Sequence, residues 1–187
     1  SKYSMGYERP LIKKKSKLNY YYLYQTQFYN KYFTEFDLEL NGIKIKYSNT
    51  NKYNKYNMSL TLFDAKNITR NDETISTDYM DRGYQEFSCV LSYEHKLNNK
   101  KIGFSINENL RQYSSNIIAD QLHYNRRHID RQISIWYSFF HGNNNKSKFI
   151  IKHRGRNTNA DYSWVEDLKT FDKLIFEYII YLRKREF

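Results

Sequence analysis

The side chains best equipped for chemistry stand between Asp120 and Asp130, where His123 and His128 share a short stretch with two carboxylates. Two imidazoles and two carboxylates are a donor set that divalent metals accept, and a His beside an acid can serve as a general base. Nothing around them completes either kind of site. The other histidines (His95, His141 and His153) are scattered, and no His-Glu-x-x-His, Gly-x-Ser-x-Gly or glycine-rich phosphate loop occurs. The stretch therefore reads as a polar loop with solvated histidines. No catalytic residue, metal site or cofactor is assigned, and an enzyme is not expected. Cys89, the one cysteine, excludes an intrachain disulfide and a cysteine-rich zinc site.

Charge is the second source of chemistry. Lys and Arg number 31 against 20 Asp and Glu, a formal net charge of +11, which favours contact with nucleic acid, an acidic polymer or lipid phosphate. Lys152, Arg154 and Arg156 alternate and would share one face of a strand, with Arg111 on another strand adding to the same surface. Tyr124 stands near Arg126, Arg127 and Arg131, and Tyr162 and Trp164 follow Arg156, groupings that could stack on and pair with single-stranded nucleic acid. Tyrosine at a membrane interface accounts for the same rings.

The elements that would position these residues are strands. The chain has 20 Tyr and 12 Phe but one Pro and six Gly, with a mean hydropathy of −0.91. Such a composition favours β-structure, yet it lacks the small aliphatics that fill a globular interior. A wall with one face against an apolar phase and the other against water resolves the mismatch. Glu35 to Tyr47 alternates on both sides of Asn41-Gly42, which predicts a type I′ hairpin placing Phe36, Leu38 and Leu40 on one face with Ile43, Ile45 and Tyr47. Alternation recurs over residues 2 to 9, with Tyr3, Met5 and Tyr7 on one side, and at Leu18 to Phe28, Tyr56 to Leu62, Phe87 to Tyr93, Ile102 to Ile106, Ile133 to Phe139, Phe149 to Arg156 and Leu174 to Leu182.

Together these predict about ten strands in one domain over 1–187, joined by alternating short turns and long loops. That describes an all-β, antiparallel up-and-down transmembrane barrel with both termini at the short-turn end, or the C-terminal part of a larger one. Lipid would then meet Phe87, Leu91, Ile133, Ile135, Tyr137 and Phe139, while Arg111, Lys152, Arg154 and Arg156 would face the lumen. The rival is a soluble, basic α+β nucleic-acid-binding protein using Arg126, Arg127, Arg131 and Tyr124. It needs helices over 116–140 and 163–183, where apolar residues also recur at helical spacing and Ser163-Trp164-Val165-Glu166 has the form of a capping box.

The segments Asn125-Arg126-Arg127-His128-Ile129-Asp130 and Arg154-Gly155-Arg156-Asn157-Thr158-Asn159, the aromatic last segment and Phe187 resemble the C-terminal barrels of surface lipoprotein assembly modifiers and repeat-coupled polysaccharide exporters. The resemblance implies a porin-like barrel in the outer membrane of a Gram-negative bacterium, serving secretion or translocation of a polypeptide or anionic polymer such as a polysaccharide. Phe187 departs from the pattern, because it is out of phase with the apolar even positions of the final segment. A bulge near Arg183 would restore the phase.

Overall fold

The computed structural model describes residues 2–10, 15–27, 37–68, 81–141 and 145–181. Nine strands follow in order: β1 (Lys2–Pro10), β2 (Ser16–Gln27), β3 (Leu38–Thr50), β4 (Asn54–Asn67), β5 (Tyr84–Leu97), β6 (Lys100–Tyr113), β7 (Arg127–His141), β8 (Asn145–Asn159) and, after helix α1 (Ser163–Lys169), β9 (Phe171–Tyr181). Each pairs antiparallel with its sequence neighbours, so the whole is one all-β meander in the order β1 to β9. Among the described residues no pairing joins β9 back to β1, and the sheet is open. No described helix is long and apolar enough to cross a membrane.

The Asn41-Gly42 hairpin does not form. β3 runs straight through both residues, Gly42 has no positive φ, and Asn41 accepts a hydrogen bond from the Tyr22 hydroxyl at 2.6 Å. The glycine serves close approach instead, because a Cβ there would lie 2.5 Å from the Phe63 ring that covers it from β4. Phase changes with the topology. In a continuous strand the even residues Leu38 and Leu40 oppose Ile43, Ile45 and Tyr47, and they join a small buried cluster with Ala65 and Tyr84, flanked by Phe63 and Tyr113. Phe36 and Phe28 lie outside the described residues, as do Leu182, Arg183 and Phe187.

Removing that turn makes the connections regular. Those at 11–15, 51–53, 98–99 and 142–144 fall at one end, and those at 28–37, 68–83, 114–126 and 160–170 at the other. The tight hairpin is Asn98-Asn99, where Asn98 takes φ 45°. Among the described residues nine strands put Lys2 and Tyr181 at opposite ends, where the expected ten would have returned the chain to the end it started from.

The proposed helices over 116–140 and 163–183 are corrected too. Residues 127–141 are β7, and α1 stops at Lys169 before β9. Tyr162 is the N-cap, without a side-chain cap bond, while Glu166 Oε1 accepts from the Ala160 amide at 2.9 Å. Pairing with β8 along Lys146 to Arg156 holds Phe171 to Tyr181 extended, and cross-strand pairing overrides the helical period.

Candidate functional site

Register sorts the side chains into two faces. On one, rows such as Ile43–Leu62–Phe87–Leu110 and Phe104–Ile135–Ile151–Phe176 run from strand to strand. Phe87, Leu91, Ile133, Ile135 and Tyr137 all lie on this face and are exposed, and Phe139 lies there half-buried. On the other face sit Ser88, Ser92, Asn107, Asn109, Gln132, Ser134 and Ser138, with Arg111, Lys152, Arg154 and Arg156. This polar face is the shielded one.

Carboxylates neutralise three of those four cations. Arg111 donates to Glu86 through Nε at 2.8 Å and Nη2 at 2.5 Å, Arg156 forms a two-bond pair with Asp130 at 2.7 Å, and Lys152 reaches Glu177 at 2.5 Å. Lys101 and Glu94 add a further pair at 2.7 Å. Glu86, Glu94 and Glu177 therefore cancel part of the positive charge on this face. Arg154 lies over the Phe171 ring, and Lys44, Lys46, Lys148 and Arg154 make no ion pair among the described residues. Trp136, the apolar exception on β7, covers Gly103, where a Cβ would run into the indole.

At the long-loop end the shielded face carries a stack. The Arg111 guanidinium lies 3.8 Å over Tyr84, Arg126 lies 3.9 Å over Tyr113, and the two tyrosine rings are 5.8 Å apart. Loop 114–126 covers it. The buried Asp120 accepts from the Asp81 amide at 2.9 Å, the Ser115 hydroxyl at 3.2 Å and His123 Nδ1–H at 2.9 Å. Burial pushes the His123 pKa down against the pull of Asp120, and Arg126 and Arg82 push it further, so the ring donates as neutral imidazole. Asn125 at φ 48° turns the chain into β7.

The solvated histidines are corrected: His123 and His128 are both buried. They belong to separate pairs, His123 with Asp120 and His128 with Asp130, and no group of metal-ligating residues forms among the described residues. The four residues of the nucleic-acid reading are dispersed. Arg126 is buried on the shielded face, Arg131 pairs with Glu108 at 2.8 Å on the apolar face, Arg127 is exposed, and Tyr124 is half-buried in the loop.

Sequence reasoning missed the hydroxyl belt at the short-turn end of the apolar face. Tyr93 donates to Asn54 Oδ1 at 2.8 Å beside His95, Tyr178 meets Ser147 at 3.2 Å beside His141, and Tyr47 approaches Ser16 at 3.5 Å beside Asn49. The signal was a polar residue opposite or diagonal to each tyrosine, visible only once the register is known. No family model, no curated protein and no solved structure matches the chain.

Proposed function

We propose that this sheet is the wall of an outer-membrane β-barrel that passes or helps to secrete a polypeptide or an anionic polymer. The carrying observation is the inverted exposure: large apolar side chains are exposed together on one face while serines, paired charges and glycine–aromatic contacts fill the other. In water such a face costs about 25 cal/mol per Å² left wet, and lipid removes that cost. The hydroxyl belt supports the reading, since tyrosines with apolar bodies and wet tips mark a membrane boundary.

Strand tilt adds a quantitative argument. The outward apolar run is Tyr56 to Leu62 on β4 and Leu174 to Ile180 on β9, and between them it slips against the hydrogen-bonded rows by a little under one residue per strand. A slip of about 3 Å for each ~4.8 Å step corresponds to strands tilted roughly 30° from the normal of a flat apolar slab. Transmembrane strands tilt by about 35–45°.

The test is expression with and without detergent, followed by reconstitution. The reading requires an apolar phase for a folded, strand-rich monomer, and a salt-gradient reversal potential favouring anions, because Lys44, Lys46, Lys148 and Arg154 leave the shielded face basic. A detergent-free soluble monomer of the same strand content would overturn it.

A further inference from the structure

We infer that a row of lysines at the short-turn end of the shielded face is a docking surface for an acidic polypeptide segment, one in which carboxylate and apolar side chains alternate. The surface follows from the register of the sheet alone and goes beyond the barrel reading, in which it lines one mouth of the lumen.

Lys96, Lys101, Ser138 and Lys148 stand in one cross-strand row over β5 to β8. Lys55 lies one row further in, opposite Glu94, and Lys146 one row further out, opposite Phe140. Backbone bonds tie the turns into a continuous rim. Thr50, the partner of Lys55, donates its amide to the Lys15 carbonyl at 3.0 Å, and the Lys96 amide donates to the Tyr53 carbonyl at 2.7 Å. Lys15, Lys55 and Lys96 are exposed. Over 15–18, 47–56, 93–102, 138–141, 145–148 and 178–181 the one carboxylate is Glu94, and Lys101 holds it at 2.7 Å. Lys15, Lys55, Lys96, Lys146 and Lys148 make no ion pair among the described residues. Acids gather instead at the long-loop end, where Asp120, Asp161, Asp167 and Asp172 lie. Like charges directly opposite one another, as Lys96 and Lys101 are, destabilise a sheet, so the row does not serve the fold.

What stands among the charges sets the class of partner. Those same stretches hold no arginine, so the forked guanidinium that matches phosphate is missing, and lysine meets a carboxylate as a point charge. Lys146 lies between two exposed rings, with Nζ 5.7 Å from the Phe140 centre and 5.3 Å from that of Tyr181, and Leu97 is exposed next to Lys96. A polypeptide offers apolar side chains to such rings together with its carboxylates, which an acidic polysaccharide does not. The three steps of ~4.8 Å from Lys96 to Lys148 match about four residues of extended chain.

The test uses the full chain in zwitterionic detergent, with a fluorescein-labelled oligopeptide of alternating Glu and Tyr as probe and anisotropy as readout. The expected result is saturable binding that weakens as salt is raised. It should fall about tenfold or more in Lys55→Gln/Lys96→Gln/Lys148→Gln and stay within about twofold in Lys66→Gln/Arg127→Gln/Lys173→Gln, which removes the same charge at the long-loop end. Equal loss in the two triple variants would mean attraction to net charge alone and overturns the surface. Tighter binding of oligogalacturonate or oligothymidylate of equal charge overturns the polypeptide assignment. Should the first variant fail to fold, Lys96→Glu carries the test, and wild-type affinity in it overturns the proposal. The titration runs equally in detergent-free buffer, so failure of the barrel reading does not decide it.

Discussion

Ser134 and Ile135 are neighbours on β7, yet the serine is 5 % exposed and the isoleucine 55 %. The same reversal holds for ion pairs. Arg156–Asp130 and Arg111–Glu86 are largely shielded, whereas Arg131–Glu108 on the apolar face stands open. A sheet in a soluble protein buries its apolar face and wets the other. Here the shielded face is held by ion pairs, serine and asparagine side chains, and rings folded over Gly42 and Gly103. The cohesion of this sheet is polar, and its apolar face is left for something outside the described residues to cover.

The contrast breaks most sharply at Ile135. Arginine there should cost about 2–4 kcal/mol in a vesicle refolding titration if lipid covers the face. Gln132→Glu, opposite Arg154 on the shielded face, should stay within about 0.5 kcal/mol. Ser134, buried opposite Lys152, would not take an arginine mildly, so Gln132 is the better control on this face. Equal costs at Ile135 and Gln132 would end the distinction between faces.

Ion pairs sharpen the comparison. Asp130→Asn strands Arg156 beside Arg126 and should cost about 2–3 kcal/mol, less than a fully buried pair because both partners retain some solvent. Glu108→Gln on the open face, where solvent screens the pair, should leave the urea midpoint nearly unchanged. Similar losses in urea unfolding would remove the difference. Next comes Gly103→Ala, which drives a methyl into the Trp136 ring and should cost about 1–2 kcal/mol with a change in Trp fluorescence. An unchanged spectrum and stability would show that the ring does not cover the glycine.

The smallest effect is a pH dependence in the loop that covers the stack. The folded pKa of His123 lies below its unfolded value near 6.5, so its contribution is complete above that pH and is lost as pH falls towards the folded value. Amide protection factors over 114–126, corrected for the intrinsic pH dependence of exchange, should fall below about pH 6.5 and stay flat in His123→Gln. Loss of protection on raising the pH instead would mean that the ring is held as imidazolium by Asp120.

Sequence by itself determined the strands and most of the faces. Period-two alternation survives translation into structure because side chains in a strand must alternate, so Phe87, Leu91, Ile133, Ile135, Tyr137 and Phe139 could be assigned to one surface without knowing their partners. It erred where a local signal has two physical uses. Asn-Gly satisfies a tight turn, but Gly also admits an aromatic ring, and only pairing of β3 with both β2 and β4 chose the second. Helical spacing after Ser163 was partly real, over α1, until β8 claimed the rest. Tertiary structure alone decided which charges cancel. Glu86 meets Arg111 and Asp130 meets Arg156 through the register of adjacent antiparallel strands, which brings together residues 25 and 26 positions apart in the chain.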